Sequence, residues 1–241
     1  NKRKIFVRGS LLRKSGADFY QSYYLQHGSH LPLIDAKIAI SKDYFTKNIK
    51  KKWITNFYSQ RRSHLLRSMY NCIISTSKSI NEDNSLLNCR IEGLENKSPD
   101  LVILDRNLKL KKKLKLFKTT KNRKILLFTH SKNKKKILYL KKRGIKVIFI
   151  NPLEKKKDFK NLFLFLKKTG YSRIFVETGL TFINFLIKNK FLNNIYIFKS
   201  SNSLKKFGIN YSNPNIIKKI NIKNMINVNL FGDKLYKEKL K

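Results

Sequence analysis

The stretch that most constrains the fold is Tyr171 to Asn189, YSRIFVETGLTFINFLIKN. A polar turn leads into a short apolar segment, Ile174-Phe175-Val176, which ends in a carboxylate, Glu177, followed by Thr178-Gly179. Beyond the glycine, Phe182, Ile183, Phe185, Leu186 and Ile187 recur at helical spacing. The pattern predicts strand, tight turn, helix. A glycine at such a turn lets backbone come close to a ligand. The helix that starts there points free N–H groups and a positive dipole end at the same spot, which suits a phosphate. A carboxylate at the C-terminal end of a strand lies where α/β sheets place their chemistry. The same residues equally fit an ordinary strand–helix joint with a solvated glutamate.

A chain of 241 residues suits one large α/β domain, or one domain and an appendage, and its 41% hydrophobic content can fill a core. The formal charge of +41 points toward nucleic acid. However, Lys, Asn and Ile are abundant everywhere, inside expected strands and helices too, so the charge reads as a bias of the whole composition. It still attracts anions and favours non-specific nucleic-acid binding at low salt. The lysine runs Lys111–Lys113, Lys134–Lys136 and Lys155–Lys157 lack the interleaved aromatics of a single-strand groove and read as solvated faces. Cys72 and Cys89 have no metal-ligand or redox spacing and read as reduced, half-buried residues of a cytosolic protein. No apolar run approaches the ~20 residues of a membrane span, and no signal peptide is visible. The chain opens on Asn rather than Met, which reads as a piece of a longer one.

Taken in order, residues 1–32 read as a connector: Lys4 to Val7 a strand end, Leu11 to Leu25 a helix, His27-Gly28-Ser29-His30 a turn. Leu33 to Ser41 alternates and predicts a strand, with Ile34, Ala36, Ile38 and Ile40 on one side and Asp35, Lys37, Ala39 and Ser41 on the other. Thr55 or Asn56 caps a helix to about Met69. Cys72 to Ile74 is a short strand, and Ser75 to Ser85 a polar loop. Strands at Leu101–Leu104, Ile125–Phe128 and Lys146–Ile150 alternate with a basic helix from about Lys134 to Lys142, stopped by Gly144. Asp158 caps a helix ending at Gly170. After the opening motif come a strand at Ile195–Phe198, a poorly patterned segment to Asn224, a strand at Met225–Phe231, a Gly232-Asp233 turn and a short final strand. This alternation predicts an α/β sheet with helices on both faces.

Five motifs then fall in register with a known family. Lys37-Ile-Ala-Ile-Ser41-Lys-Asp43 resembles its K-x-A-x-S-x-D-G, and Trp53-Ile54-Thr55 its W-I-T. Arg67, fourteen positions after Trp53, fits the arginine closing the next helix. Ser79 to Arg90, SINEDNSLLNCR, resembles T-V-x-x-D-D-P-x-L-x-x-R, and Val176 to Thr181 resembles V-E-x-G-x-T. Over about Leu33 to Lys241 the chain resembles the reductase domain of the bifunctional riboflavin-biosynthesis deaminase–reductase. Ile5-Phe6-Val7-Arg8-Gly9 is similar to the end of the deaminase domain, which makes residues 1–32 the connector and 33–241 the reductase domain. The deaminase motifs H-x-E and P-C-x-x-C are absent from this sequence, so no deaminase activity is expected of it.

The resemblance implies a dihydrofolate-reductase-like fold, a mixed, mostly parallel sheet flanked by helices. It implies a cytoplasmic, NADPH-dependent oxidoreductase that converts the ribosyl group of 5-amino-6-(5-phosphoribosylamino)uracil into a ribityl chain. A homodimer formed through the C-terminal part of the sheet is also implied. Lys37 and Glu177 become the catalytic pair. Arg67 and Arg90 become ligands of the substrate's 5′-phosphate, with Lys51, Leu87 and Glu177 also on the substrate side. Trp53, Ser79 and Asp83 line the nicotinamide and its ribose. Thr178, Gly179, Leu180, Thr181 and Phe182 take the pyrophosphate, and Arg106 meets the 2′-phosphate. The chain departs from the pattern at Tyr44, Thr76 and Lys78, where glycines are usual, and at Asn84 and Ser85, in place of Asp-Pro. Lys51 and Arg106 both stand where the family has serine, and the loop from Ser41 to Trp53 is short. Two other readings stand beside this one: a nucleic-acid-binding module on an inactive reductase-like fold, and a reductase of another substrate such as a pterin.

Overall fold

The computed structural model describes Gly16 and residues 20–241. The expected strand at Lys4–Val7, the Ile5–Gly9 resemblance and most of the expected Leu11–Leu25 helix lie outside these residues. What is described of the helix, α1, spans Gln21–Gly28, so Gly28 ends a helix instead of sitting in a turn.

Strand β1 (Leu33–Ile40) enters the sheet directly. A short ribbon strand β2 (Lys47–Asn48) follows, then helix α2 (Phe57–Arg67), whose start is capped by Asn56 Oδ1 accepting from the Ser59 N–H. Strand β3 (Cys72–Thr76) runs straight into helix α3 (Ser77–Asp83). Strands β4 (Asp100–Leu104) and β5 (Ile125–Thr129) precede helix α4 (Lys134–Lys142) and strand β6 (Ile145–Phe149). Helix α5 (Lys156–Lys168), strand β7 (Arg173–Glu177), helix α6 (Leu180–Lys188) and strand β8 (Asn194–Lys199) follow. The chain closes with β9 (Gly208–Ile209), the short helix α7 (Asn215–Lys219) and β10 (Lys234–Lys239).

Among the described residues one sheet of eight strands runs in the order β10-β8-β1-β7-β3-β4-β5-β6. Every neighbouring pair is parallel except β10 with β8. Strand side chains alternate faces, so the core divides in two. Ile34, Ala36, Val102, Ile174 and Val176 pack with Phe159, Leu162, Phe163 and Leu166 of α5 and Leu180, Ile183 and Leu186 of α6. Ile73, Leu101, Ile103, Phe175 and Phe198 pack on the other face with Leu66 of α2, Ile80 of α3 and Leu140 of α4. The mixed, mostly parallel α/β sheet with helices on both faces is therefore present. No helix among the described residues is long and apolar enough to cross a membrane.

Three local expectations are corrected. Ser75–Ser85 is not a loop: Thr76 Oγ1 accepts from the Ser79 N–H and caps α3, which buries Ile80. Met225–Phe231 is not a strand, because its β-pairing is confined to isolated bridges of Met225 with Tyr236 and Leu230 with Asp233. Asp158 is not the cap of α5 but stands in its first turn, where its carboxylate accepts from the N–H groups of Glu154 and Lys155. β1 is interior to the sheet and covered on both sides, so Asp35 is 2% exposed and accepts from Tyr70 Oη at 2.6 Å and Asn194 Nδ2 at 2.8 Å. Burial raises its pKa, against those hydrogen bonds.

Candidate active site

Strands β1, β7, β3 and β4 are parallel neighbours, so their C-terminal ends share one edge of the sheet. Register makes Lys37 on β1 the partner of Glu177 on β7. Residues paired in this way point to the same face. Above that edge lies a cleft of about 1290 Å³, walled by Lys37, Trp53, Arg67, Ser79, Asp83, Leu87, Arg90, Arg106, Glu177, Thr178, Gly179, Leu180, Thr181 and Phe182. All the residues singled out from sequence except Lys51 thus meet at one place. Lys51 is exposed outside the wall, its N–H held by Asn48 Oδ1 at 3.2 Å. Its neighbour Lys52 takes the inward place and donates to the Asp83 carbonyl at 2.9 Å.

Glu177 is buried at the centre of this wall and paired with Arg67. Arg67 Nε donates to Glu177 Oε1 at 2.6 Å and Nη2 to Oε2 at 2.9 Å. Burial works to raise the glutamate's pKa, but the Arg67 charge and bonds, with Lys37 beyond, hold it below the ordinary value. Glu177 is therefore an ionised acceptor. Lys37 is half-buried, with Nζ 5.4 Å from the centre of the Phe198 ring. Burial lowers its pKa, against the attraction of Glu177, which makes its proton easier to give away.

The segment that carries Leu87 and Arg90 is fixed from behind. Leu87 is buried at φ +51°, a backbone region costly for a side chain that size. It is held there by Arg123, whose guanidinium donates to the carbonyls of Leu87 at 2.6 Å and Pro99 at 3.0 Å, and to that of Leu86. Burial, with the Arg67 charge, pulls Arg123 down to about 10. His64 Nδ1 lies 2.8 Å from the Asn88 carbonyl oxygen and 3.2 Å from the Arg90 nitrogen. Arg90 itself is exposed, with Nη1 donating to Asn88 Oδ1 at 2.8 Å.

At the start of α6 three hydroxyls cluster. Ser79 Oγ lies 3.1 Å from both Thr76 Oγ1 and Thr178 Oγ1, and accepts from the Gly179 N–H at 3.3 Å. Gly179 caps α6 with φ −70°, which any residue adopts, so left-handed freedom is not its purpose. A Cβ there would meet nothing nearer than Ser79 Oγ at 3.9 Å, and would project beside the cleft wall. Arg106 is exposed in the turn after β4, and Lys78, Lys109 and Lys111 add positive charge to the wall. Asp105 ties that turn down, accepting from the N–H groups of Lys109 and Leu110 at 2.7 Å. The β2–β9 ribbon closes one side: Lys47 Nζ donates to Glu82 Oε2 at 2.9 Å and to Tyr211 Oη at 2.8 Å. Trp53 lies 52% exposed on the wall and is not core packing.

His64, Thr76, Asp105 and Arg123 support the site but were not identified from sequence. His64 follows the spacing of α2, three residues before Arg67, and was legible in principle. Arg123 had no local signal, because its partners lie 24 to 37 positions away.

The family model of the RibD C-terminal domain matches residues 32–201, well over half of the chain. Among curated proteins, the riboflavin biosynthesis protein RibD of Buchnera aphidicola subsp. Baizongia pistaciae (strain Bp) is 26% identical over 223 residues, covering 88% of this chain and 59% of that one. Among solved structures, the Thermotoga maritima diaminohydroxyphosphoribosylaminopyrimidine deaminase/5-amino-6-(5-phosphoribosylamino)uracil reductase has a TM-score of 0.73 at 18% identity, covering 95% of this chain and 62% of that one. Acinetobacter baumannii RibD, form 1, has a TM-score of 0.69 at 16% identity, covering 94% and 66%. The Saccharomyces cerevisiae riboflavin biosynthesis reductase Rib7 has a TM-score of 0.68 at 21% identity, covering 93% and 99%. The chain spans about three-fifths of the length of the curated relative it matches. The structural likenesses show the fold.

Proposed function

Because the chain belongs to the RibD C-terminal domain family, we propose that it reduces 5-amino-6-(5-phosphoribosylamino)uracil to the ribityl compound with NADPH, a step of riboflavin biosynthesis. The observation that carries this reading is the register pairing of Lys37 with Glu177 in the wall of the cleft, with Arg90 on the same wall. The wall also fits a dinucleotide. A side chain at residue 179 would crowd a ligand on the α6 start, and the Ser79 and Thr178 hydroxyls and the Thr181 and Phe182 backbone would hold its pyrophosphate. Trp53 and Asp83 would flank the nicotinamide side, and Arg106 the 2′-phosphate. Once bound, NADPH supplies hydride to C1 of the opened sugar.

The chain's own residues then have distinct tasks. The ribosylamine must open to an imine before C1 becomes electrophilic, and opening leaves O4′ in need of a proton. Lys37 Nζ, with its lowered pKa, gives that proton. Glu177, ionised, accepts hydrogen bonds from ribose hydroxyls and fixes C1 for attack. Leu87 packs against the pyrimidine side, and Arg90 takes the 5′-phosphate. Arg67 belongs to the substrate wall through Glu177, and Lys51 contributes charge only at the rim. In the same reading residues 33–241 form the reductase unit, 1–32 join it to a deaminase domain, and the protein is a cytoplasmic homodimer.

Glu177→Gln tests the assignment. It keeps the shape of the side chain and should leave NADPH affinity within ~3-fold while lowering turnover ~10²-fold, the scale of a lost acid–base or positioning group. Near-wild-type turnover of the variant would refute the role of Glu177.

A further inference from the structure

Tyr211 lines the cleft between two helices. The segment after it is tied to α6, where Asn184 Nδ2 donates to Ser212 Oγ at 3.2 Å and to the Asn213 carbonyl at 2.8 Å. From α3, Lys78 Nζ lies 4.6 Å from the centre of the Tyr211 ring. From β2, Lys47 Nζ lies 4.8 Å from the same centre. Two ammonium groups thus share one aromatic ring, and all three side chains belong to the cleft wall. The lysines differ in their other bonds. Lys47 donates to Tyr211 Oη at 2.8 Å and to Glu82 Oε2 at 2.9 Å, and these two partners push its pKa up to about 12. Lys78 meets no carboxylate among the described residues, whose ion pairs are Lys47–Glu82 and Arg67–Glu177. It is exposed, and a cation on an exposed ring is weakly held. Its neighbour in sequence is Ser79, whose Oγ lies 3.1 Å from Thr178 Oγ1 and accepts from the Gly179 N–H at 3.3 Å.

We propose, on the reading given above that this cleft takes a dinucleotide, that Lys78 is a further binding residue and takes the pyrophosphate. Tyr211 is its positioning residue and holds the ammonium at the gap between α3 and α6. A lysine's long, flexible stem lets that ammonium swing from the ring to an anion beside Ser79 and Thr178. The charge on Lys47, fixed by Glu82, repels Lys78 from the ring, and the anion draws it the other way. NADPH and NADH share the pyrophosphate, so Lys78 serves both alike, whereas Arg106 at the 2′-phosphate separates them.

The test is Lys78→Gln, titrated with NADPH and with NADH at fixed ionic strength. Glutamine forms helix about as well as lysine and the position is exposed, so the variant keeps the fold. Both affinities should fall ~10-fold, the scale of one charge-assisted hydrogen bond. KM for the pyrimidine should move no more than ~3-fold. Lys113→Gln removes the same charge from an exposed loop position outside the cleft wall, and should change neither affinity by more than ~2-fold. Unchanged affinities in Lys78→Gln, a loss confined to NADPH, or an equal loss in Lys113→Gln would overturn the proposal. A second arm uses inorganic pyrophosphate and needs no dinucleotide. In the wild-type protein it should shift the ring resonances of Tyr211 as the ammonium leaves the ring. In Lys78→Gln it should leave them in place. Tyr211 resonances unmoved in the wild type, or moved alike in both proteins, would also overturn the proposal. Wild-type protein that answers to pyrophosphate in this way but binds neither dinucleotide would refute the cofactor reading of the cleft while supporting Lys78 as a pyrophosphate ligand.

Discussion

His64 lies against the backbone of Asn88 and Arg90. Burial, together with the Arg67 and Arg90 charges, lowers its pKa to about 4. Unfolded, it returns to about 6.5 and binds a proton the native state refuses. Its contribution to stability is therefore fully present above about pH 6.5 and lost as pH falls toward 4. Allowing for solvent screening at the cleft, the loss is about 1–2 kcal/mol. His64→Gln should flatten that part of the stability–pH curve, measured by denaturant unfolding at several pH values. An unchanged slope would place the linkage elsewhere. Single residues also show what the sequence could reveal. Tyr44, standing where the family motif has glycine, adopts φ +68°, so the motif's glycine marked a left-handed position that this chain fills at some cost. Lys51 and Lys52 could not be told apart by type, because the ribbon geometry alone decides which faces inward.

At the scale of elements, α3 joins the sheet to the site. It was invisible as a helix because only Ser77 and Ile80 are buried along its seven residues, too few to show a period. Its start depends on Thr76, which both caps the helix and touches Ser79 and Thr178. Thr76→Ala should cost about 1 kcal/mol of stability, the usual loss of a cap, and weaken NADPH binding several-fold, whereas Thr76→Ser should restore both. Chemical unfolding and a cofactor titration check the two effects. A variant that loses stability but keeps full affinity would confine Thr76 to capping. The opposite error arose at Met225–Phe231, where Ile226, Val228 and Leu230 alternate as in a strand. The Ile226 N–H does reach the Leu235 carbonyl at 2.8 Å, but Asn227 and Asn229 form no ladder, and alternation without a continuous partner does not make a strand.

For the whole molecule, the succession of strands and helices was legible because each carries its own period. Strand order was not. A parallel sheet joins residues far apart in the chain, and the pairing of Lys37 with Glu177 spans the distance from β1 to β7, with four other strands of the sheet between them in sequence. Only the family motifs brought those two side chains together before the structure did. The charge of +41 acts at this scale as well, since basic residues on the wall draw in anions and any exposed face attracts nucleic acid at low salt. A reductase and a basic scaffold on the same fold therefore separate only when ionic strength is held fixed near the physiological value. The deciding measurement is a titration of NADPH and NADH at that fixed salt, followed by addition of the phosphoribosylaminouracil. Saturable binding tighter for NADPH, and its oxidation one-for-one with the pyrimidine reduced, are the predicted results. Absence of NADPH binding, alongside nucleic-acid binding with a steep salt dependence, would contradict the account.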